Sequence, residues 1–301
     1  MAHLHIFAGA DARPAHPTIR SISVSDLLDA LAHGYADFLA MPSHALFLCL
    51  IYPVAAIFVA GVTMGYNILP LAWPLMAGFA LIGPLAAIGL YEMSRRREAG
   101  LEADPSHAFD VLHSPSLPAI ALLGALLLAI FLAWVGTAQA IYQSLFGYLP
   151  PESIPQFVRD VLTTPDGWKL IMIGNAVGFV FAVAAFVLSV ISFPLLLDRD
   201  VGVAVAITAS VRAVLANPVT MAVWGLMVAG LLLLGSLPAF IGLAVVIPVL
   251  GHATWHLYRK MVDPSDLPPN ELLPPRSPKG RRYGADFPAA LFPAYHKDPA
   301  P

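Results

Sequence analysis

Uncharged apolar runs alternate with short polar stretches along this chain, and the runs have the lengths of membrane spans. Between residues 38 and 91 there is no Asp, Glu, Lys or Arg, enough for two spans of about 20 residues with a turn between them. The pattern predicts spans at 44–64 and 70–91, joined at Gly65-Tyr66-Asn67. Pro53, Pro74 and Pro84 fall in or near these spans, where neighbouring groups can re-satisfy the carbonyls a proline frees. A polar surface segment follows at 92–116, and a third span is expected at 118–141. The loop at 146–167 has room for one short helix near 155–162. A fourth span runs over 168–197 and stops at Asp198-Arg199-Asp200. After a surface helix at 201–217, the uncharged stretch between Arg212 and Arg259 is broken by Gly235-Ser236-Leu237-Pro238 into a fifth and a sixth span.

Ahead of the spans, residues 1–21 are irregular, and a Met1-Ala2-His3 start offers copper an amino-terminal motif only if Met1 is kept. Residues 25–40 read as an amphipathic helix with Ser25 as N-cap. Leu27, Leu28, Leu31, Tyr35, Phe38 and Leu39 share one face, and Asp26, Asp29, His33 and Asp37 the other. Such a helix either binds a partner or lies in the membrane interface and feeds the first span. Residues 22–262 then form the membrane domain, and 263–301 a Pro-rich basic tail without a packed core.

Composition agrees with the pattern. Hydrophobic residues make up 58% and charged residues 12%, about half the charge of an ordinary soluble domain. The fold class is therefore all-α, a polytopic bundle of about six transmembrane helices with interfacial amphipathic helices. Cys49 is the single cysteine, which excludes an internal disulfide and a thiolate metal cluster. The first 43 residues lack the apolar core and cleavage site of a signal peptide, so the N-terminus is expected to stay on the chain.

Charge distribution orients the bundle. With the N-terminus inside, fourteen Lys and Arg residues fall on the inner side and only Arg159 and Lys169 on the outer. Arginine and lysine resist translocation, so both termini are expected to be cytoplasmic. Trp73, Tyr142, Tyr148 and Trp168 then mark the outer interface, and Tyr91, Trp224, Trp255 and Tyr258 the inner one. Leu39-x-x-Pro42, Leu112-x-x-Pro115 and Leu215-x-x-Pro218 precede odd-numbered spans, and Pro84, Pro194 and Pro248 lie late in even-numbered ones. Three repeated hairpins would account for both and would bring the inner ends of spans two, four and six together.

Those ends carry Glu92 and Arg95, Asp198 and Arg199, and His252, His256 and Arg259. His252 and His256 are four apart and share a helix face. They could take adjacent positions on one zinc or iron ion, with Glu92 or Asp198 completing the site. In the competing reading the histidines bond to neighbours while the acids pair with arginines. Ala253 stands where a zinc-protease helix needs its general-base glutamate, and the shared face excludes opposite axial ligation of one haem. The span centres lack the ionisable groups of proton-coupled transporters. Gln139 and Asn175 are the polar candidates there, as helix-to-helix bonds or as pore-lining groups. No nucleic-acid patch or phosphate loop is present.

The stretches GFALIGPLAAIGLYEMSRRREAG, SFPLLLDRDVGVAVAITASVRAVLANP and IPVLGHATWHLYR resemble a bacterial family of integral membrane proteins of unknown function. The resemblance covers residues 22–262. Its members are often labelled cytochrome c oxidase subunit I, which implies a bacterial inner-membrane location. The residues do not support oxidase catalysis, which needs about twelve spans and at least six intramembrane histidines. The expectation is a non-enzymatic accessory, assembly or scaffold protein embedded in the lipid bilayer, with a membrane-protein partner or a second copy of itself. The alternatives are a small-solute transporter or channel, and a metal- or haem-handling protein using zinc, iron or copper at His252, His256, Glu92 and Asp198.

Overall fold

The computed structural model describes residues 17–41, 69–79, 83–237 and 240–272. The expected first span at 44–64, Cys49, the amino-terminal copper motif and the tail from 273 onward lie outside them. A two-residue strand β1 (Thr18–Ile19) leads into α1 (Val24–Ala40). The N-cap lies two residues earlier than the sequence suggests. It is Ser23 and not Ser25: the Ser23 Oγ accepts the Asp26 N–H at 3.4 Å and the Asp26 carboxylate accepts the Ser23 N–H at 2.9 Å. This is a reciprocal capping box with Asp in the third position.

Where span two is expected, the described residues form a 3-10 turn (Leu69–Leu71), α2 (Ala72–Phe79), α3 (Gly83–Ala86) and α4 (Ile88–Glu98). A 3-10 helix (Pro105–His113) leads into α5 (Leu117–Phe146), and α6 (Ile154–Thr163) occupies the following loop. Next come α7 (Pro165–Ser189), α8 (Ser192–Asp198), α9 (Val203–Ala216), α10 (Pro218–Ser236), α11 (Leu243–Met261) and strand β2 (Val262–Asp263). Among the described residues three helical segments are long and apolar enough to cross a membrane: Leu117–Phe146, Pro165–Asp198 and Pro218–Ser236. Their outward faces carry Leu128, Leu132, Phe179, Val180, Leu226 and Leu234, all exposed, as side chains against lipid would be.

Length separates the two ends of the bundle. Laid out as one straight helix, the 34 residues of Pro165–Asp198 would rise about 50 Å, against a hydrocarbon core of about 30 Å. Even a steep tilt of about 40° leaves an overhang. The overhanging end is α8, because all seven of its residues are buried in protein and it finishes on a charged residue. Here α4, α8 and α11 touch one another, and the strands pair antiparallel, Thr18 with Asp263 and Ile19 with Val262. Arg95 and Arg259 stand at the same spacing from Pro84 and Pro248, and both reach the end of α8.

Three expectations change. First, α1 runs antiparallel to α11, with Asp26 opposite Lys260 and Gly34 opposite Ala253. It buries Leu27, Ala30, Gly34 and Asp37 and leaves Leu28, Tyr35 and Leu39 exposed. Small residues let the two backbones approach closely, so the bulky apolar face turns outward. Second, Tyr91, Trp224, Trp255 and Tyr258 form no interfacial belt; each is at most 2% exposed in the core. Third, residues 262–271 are packed, with Val262, Leu267 and Asn270 buried.

A Cβ on Gly34 would sit 2.5 Å from the Ala253 backbone nitrogen. Gly34→Val is therefore expected to destabilise the fold by about 1–3 kcal/mol through overpacking, read as a lower thermal midpoint in detergent. An unchanged midpoint would refute the close α1–α11 contact.

Candidate functional site

Three consecutive arginines on α4 organise the charged end. Successive helical residues are rotated by about 100°, so Arg95, Arg96 and Arg97 project in three directions. Arg97 bonds Asp37 on α1. Arg96, fully buried, donates from Nε to the Glu102 carbonyl at 3.0 Å and from Nη1 to Asp110 at 3.4 Å. Arg95 pairs with Glu92 at 3.2 Å and with Asp198 at 3.7 Å, and also donates to the Asn270 carbonyl. Helix α4 is thereby tied to α1, to α8, to the connection that follows it and to Asn270.

Asp198 is the second focus. The Tyr258 hydroxyl donates to its Oδ2 at 2.7 Å, and Arg199 and Arg259 approach the same oxygen at 3.1 and 3.5 Å. Arg259 also donates to Glu98 at 2.9 Å, the other oxygen of which accepts the Trp255 indole N–H at 2.9 Å. Residues 262–271 close this layer. Asn270 is neutral, and its Nδ2 lies within 3.0 Å of three acceptors, the Leu196 and Leu197 carbonyls and the Ser116 hydroxyl. Its own N–H caps the end of α8 by donating to the Asp198 carbonyl at 2.9 Å. Carbonyls left open at a helix end need such donors when buried.

The third cluster joins α1, α4 and α11. Asp37 accepts the Ser94 hydroxyl at 2.6 Å and the His256 Nε2–H at 2.9 Å, beside Arg97. Ser94 Oγ also lies 2.8 Å from Nδ1 of His252. His33 on α1 stacks obliquely on His256 with ring centroids 5.3 Å apart. Burial alone would raise the Asp37 carboxyl, but the hydrogen bonds from His256 and Ser94 outweigh it and hold the group below its ordinary value. Glu92 goes the other way: burial raises it, despite Arg95 beside it.

The four residues considered as a metal site therefore sit in two separate settings. His252 and His256 are bridged by Ser94 and Asp37, whereas Glu92 and Asp198 are engaged by arginines. Among the described residues no group of three or more His, Cys, Asp or Glu is arranged to hold a metal ion. Of the other polar candidates, Asn175 is exposed and donates to the Ile171 carbonyl of its own helix at 2.7 Å. Gln139 Oε1 on α5 is buried without a hydrogen-bond partner among the described residues. Asp37, Ser94, Arg96 and Asn270 are not among the site residues that the sequence points to. The signal for Asp37 was its place one turn after Ala30-x-x-x-Gly34, on the small-residue face of α1.

An overhanging charged layer on long, lipid-facing apolar helices defines the class: the chain is a helical integral membrane protein. Residues 72–198 match a family described as "Predicted integral membrane protein (DUF2189)". That region holds the three arginines, Asp110 and Asp198, and leaves out Asp37, His252 and His256. No curated protein and no solved structure matches the chain.

Removing one partner of a buried ion pair strands the other, at a cost of about 3–5 kcal/mol. Asp198→Ala, which takes the acceptor from the Tyr258 hydroxyl and one carboxylate from beside Arg95, Arg199 and Arg259, is expected to lower stability by that amount, measured by thermal or denaturant unfolding in detergent. A loss under about 1 kcal/mol would show that the cluster is solvated. Asp37 generates a pH test. A depressed folded-state pKa contributes stability that is present above the unfolded value of 3.8 and is lost as pH falls through the folded value. The stability gap between wild type and Asp37→Asn should be constant near neutrality and shrink under acid below about pH 4. A gap that is flat throughout would remove Asp37 from the ionic network.

Proposed function

We propose that this is a six-span protein of a bacterial inner membrane, with both termini cytoplasmic, acting as an accessory, assembly or scaffold protein. The observation that carries this reading is the engagement of the charged groups at the overhanging end. Arg95, Arg97, Asp37, Asp198 and Arg259 are each spent on helix-to-helix, helix-to-tail or backbone contacts. A transport gate needs a bistable element, whereas this layer interlocks α1, α4, α8, α11 and residues 262–271. The orientation rests on the arginines of this layer, since Arg and Lys favour the cytoplasmic side. Respiratory complexes are candidate neighbours on the strength of the family resemblance alone.

Orientation is tested with single cysteines in a Cys49→Ser background, labelled by a membrane-impermeant maleimide in spheroplasts. A cysteine replacing Tyr148 should react in intact spheroplasts, and one replacing Lys297 only after permeabilisation; the reverse pattern would overturn the topology. The scaffold reading predicts solute and proton flux from proteoliposomes equal to that of empty vesicles. It also predicts a stoichiometric membrane-protein neighbour on cross-linking in native membranes. Saturable flux would favour the transporter instead.

A further inference from the structure

His252 and His256 attract attention in the sequence as a pair that might share one metal ion. The fold gives the pair a different relation. His256 is partly open to water, its side chain 20% exposed, while His252 is fully buried. Between them run two groups from two other helices: Asp37 from α1, 2.9 Å from His256 Nε2, and Ser94 from α4. Ser94 lies 2.6 Å from Asp37 Oδ2 and 2.8 Å from His252 Nδ1. Every neighbour along this string can give or take a proton, and every gap is a hydrogen bond.

We infer that Asp37 and Ser94 form a proton relay connecting water-facing His256 with buried His252. Ser94 is the side-chain partner of the His252 ring, at Nδ1, and the Leu90 backbone also bonds the ring. The steps balance. A proton taken from water at Nδ1 of His256 makes an imidazolium, which releases its Nε2 proton to Asp37 Oδ2. With the Ser94 hydroxyl turned from Asp37 toward His252, and that ring in its Nε2–H tautomer, Asp37 passes a proton to Ser94 Oγ as the hydroxyl proton moves to Nδ1 of His252. The result is a His252 imidazolium and a restored Asp37 carboxylate, which is the state in which Nδ1–H points back at Ser94. Burial disfavours a lasting cation, so the relay exchanges protons with the ring and does not store one. The charged and titratable groups facing the path are Asp37 and His33 from α1 and Arg97 from α4. Arg97 and Asp37 neutralise one another, which leaves the transferred proton as the net charge.

The test is the rate at which the His252 ring N–H exchanges with water in the full chain, labelled with isotopic histidine, reconstituted in nanodiscs and assigned by loss of signal in His252→Gln. Wild type and Ser94→Thr, which keeps the hydroxyl, should exchange faster than the protected α11 amides. Ser94→Ala and His256→Gln should each slow ring exchange at least about tenfold, with α11 amide protection unchanged. Ring exchange in wild type as slow as that of the α11 amides would overturn the relay. So would equal rates in wild type, Ser94→Thr and Ser94→Ala. Backbone amide exchange distinguishes loss of the bridge from loss of the fold in either variant.

Discussion

The rotation of three adjacent arginines about one helix axis is the constraint on which the charged end depends. Because α4 turns by about 100° per residue, Arg95, Arg96 and Arg97 cannot share a partner. Each must find an acceptor on a different element, and the chain supplies Asp198, Asp110 and Asp37 in three directions. A guanidinium suits this role, since it is always charged and offers several donors in a fixed plane. Helices α1 and α8, together with the 3-10 helix that follows α4, are therefore positioned with respect to α4 by charge as well as by packing.

Such a layer is better at choosing an arrangement than at stabilising one. Desolvation of buried ions offsets much of their attraction, and an apolar core of the same shape could hold as well. What the ions exclude is misassembly. A helix end that slides by one turn leaves Asp198 or Arg96 buried and unpaired, an outcome several kcal/mol worse. Lipid supplies no hydrophobic drive to hold the spans together, so a specific polar layer outside the hydrocarbon can set their relative order. The close contacts serve the same end: Gly34 against Ala253, and Gly251 against Leu90, permit the short distances on which Asp37, Ser94 and the two histidines rely.

Much of the architecture was legible in the chain. Apolar run lengths located α5, the α7–α8 segment and α10, because a bilayer imposes a length on any helix that crosses it. The 92–98 stretch was read as a surface return, and it is instead the continuation of α4, since arginines that find buried acceptors need not end a helix at the headgroups. The tail was read from its prolines as unpacked, but a single Asn270 with three acceptors within reach holds residues 262–271 against α8. For the same reason the inner aromatics were misplaced: a Trp or Tyr at a span end fits an interface or a buried layer equally well by composition.

What the sequence by itself determined is whatever a bilayer reads one residue at a time: apolar length, the asymmetry of arginine, and the breaks at glycine and proline. Those properties are local and need no partner. That Ser94 and Asp37 link His252 to His256, while arginines engage Glu92 and Asp198, was decided only by tertiary structure. The linked residues lie on three helices far apart in the chain, and their meeting depends on how closely α1 approaches α11, a distance set by Gly34 and Ala253.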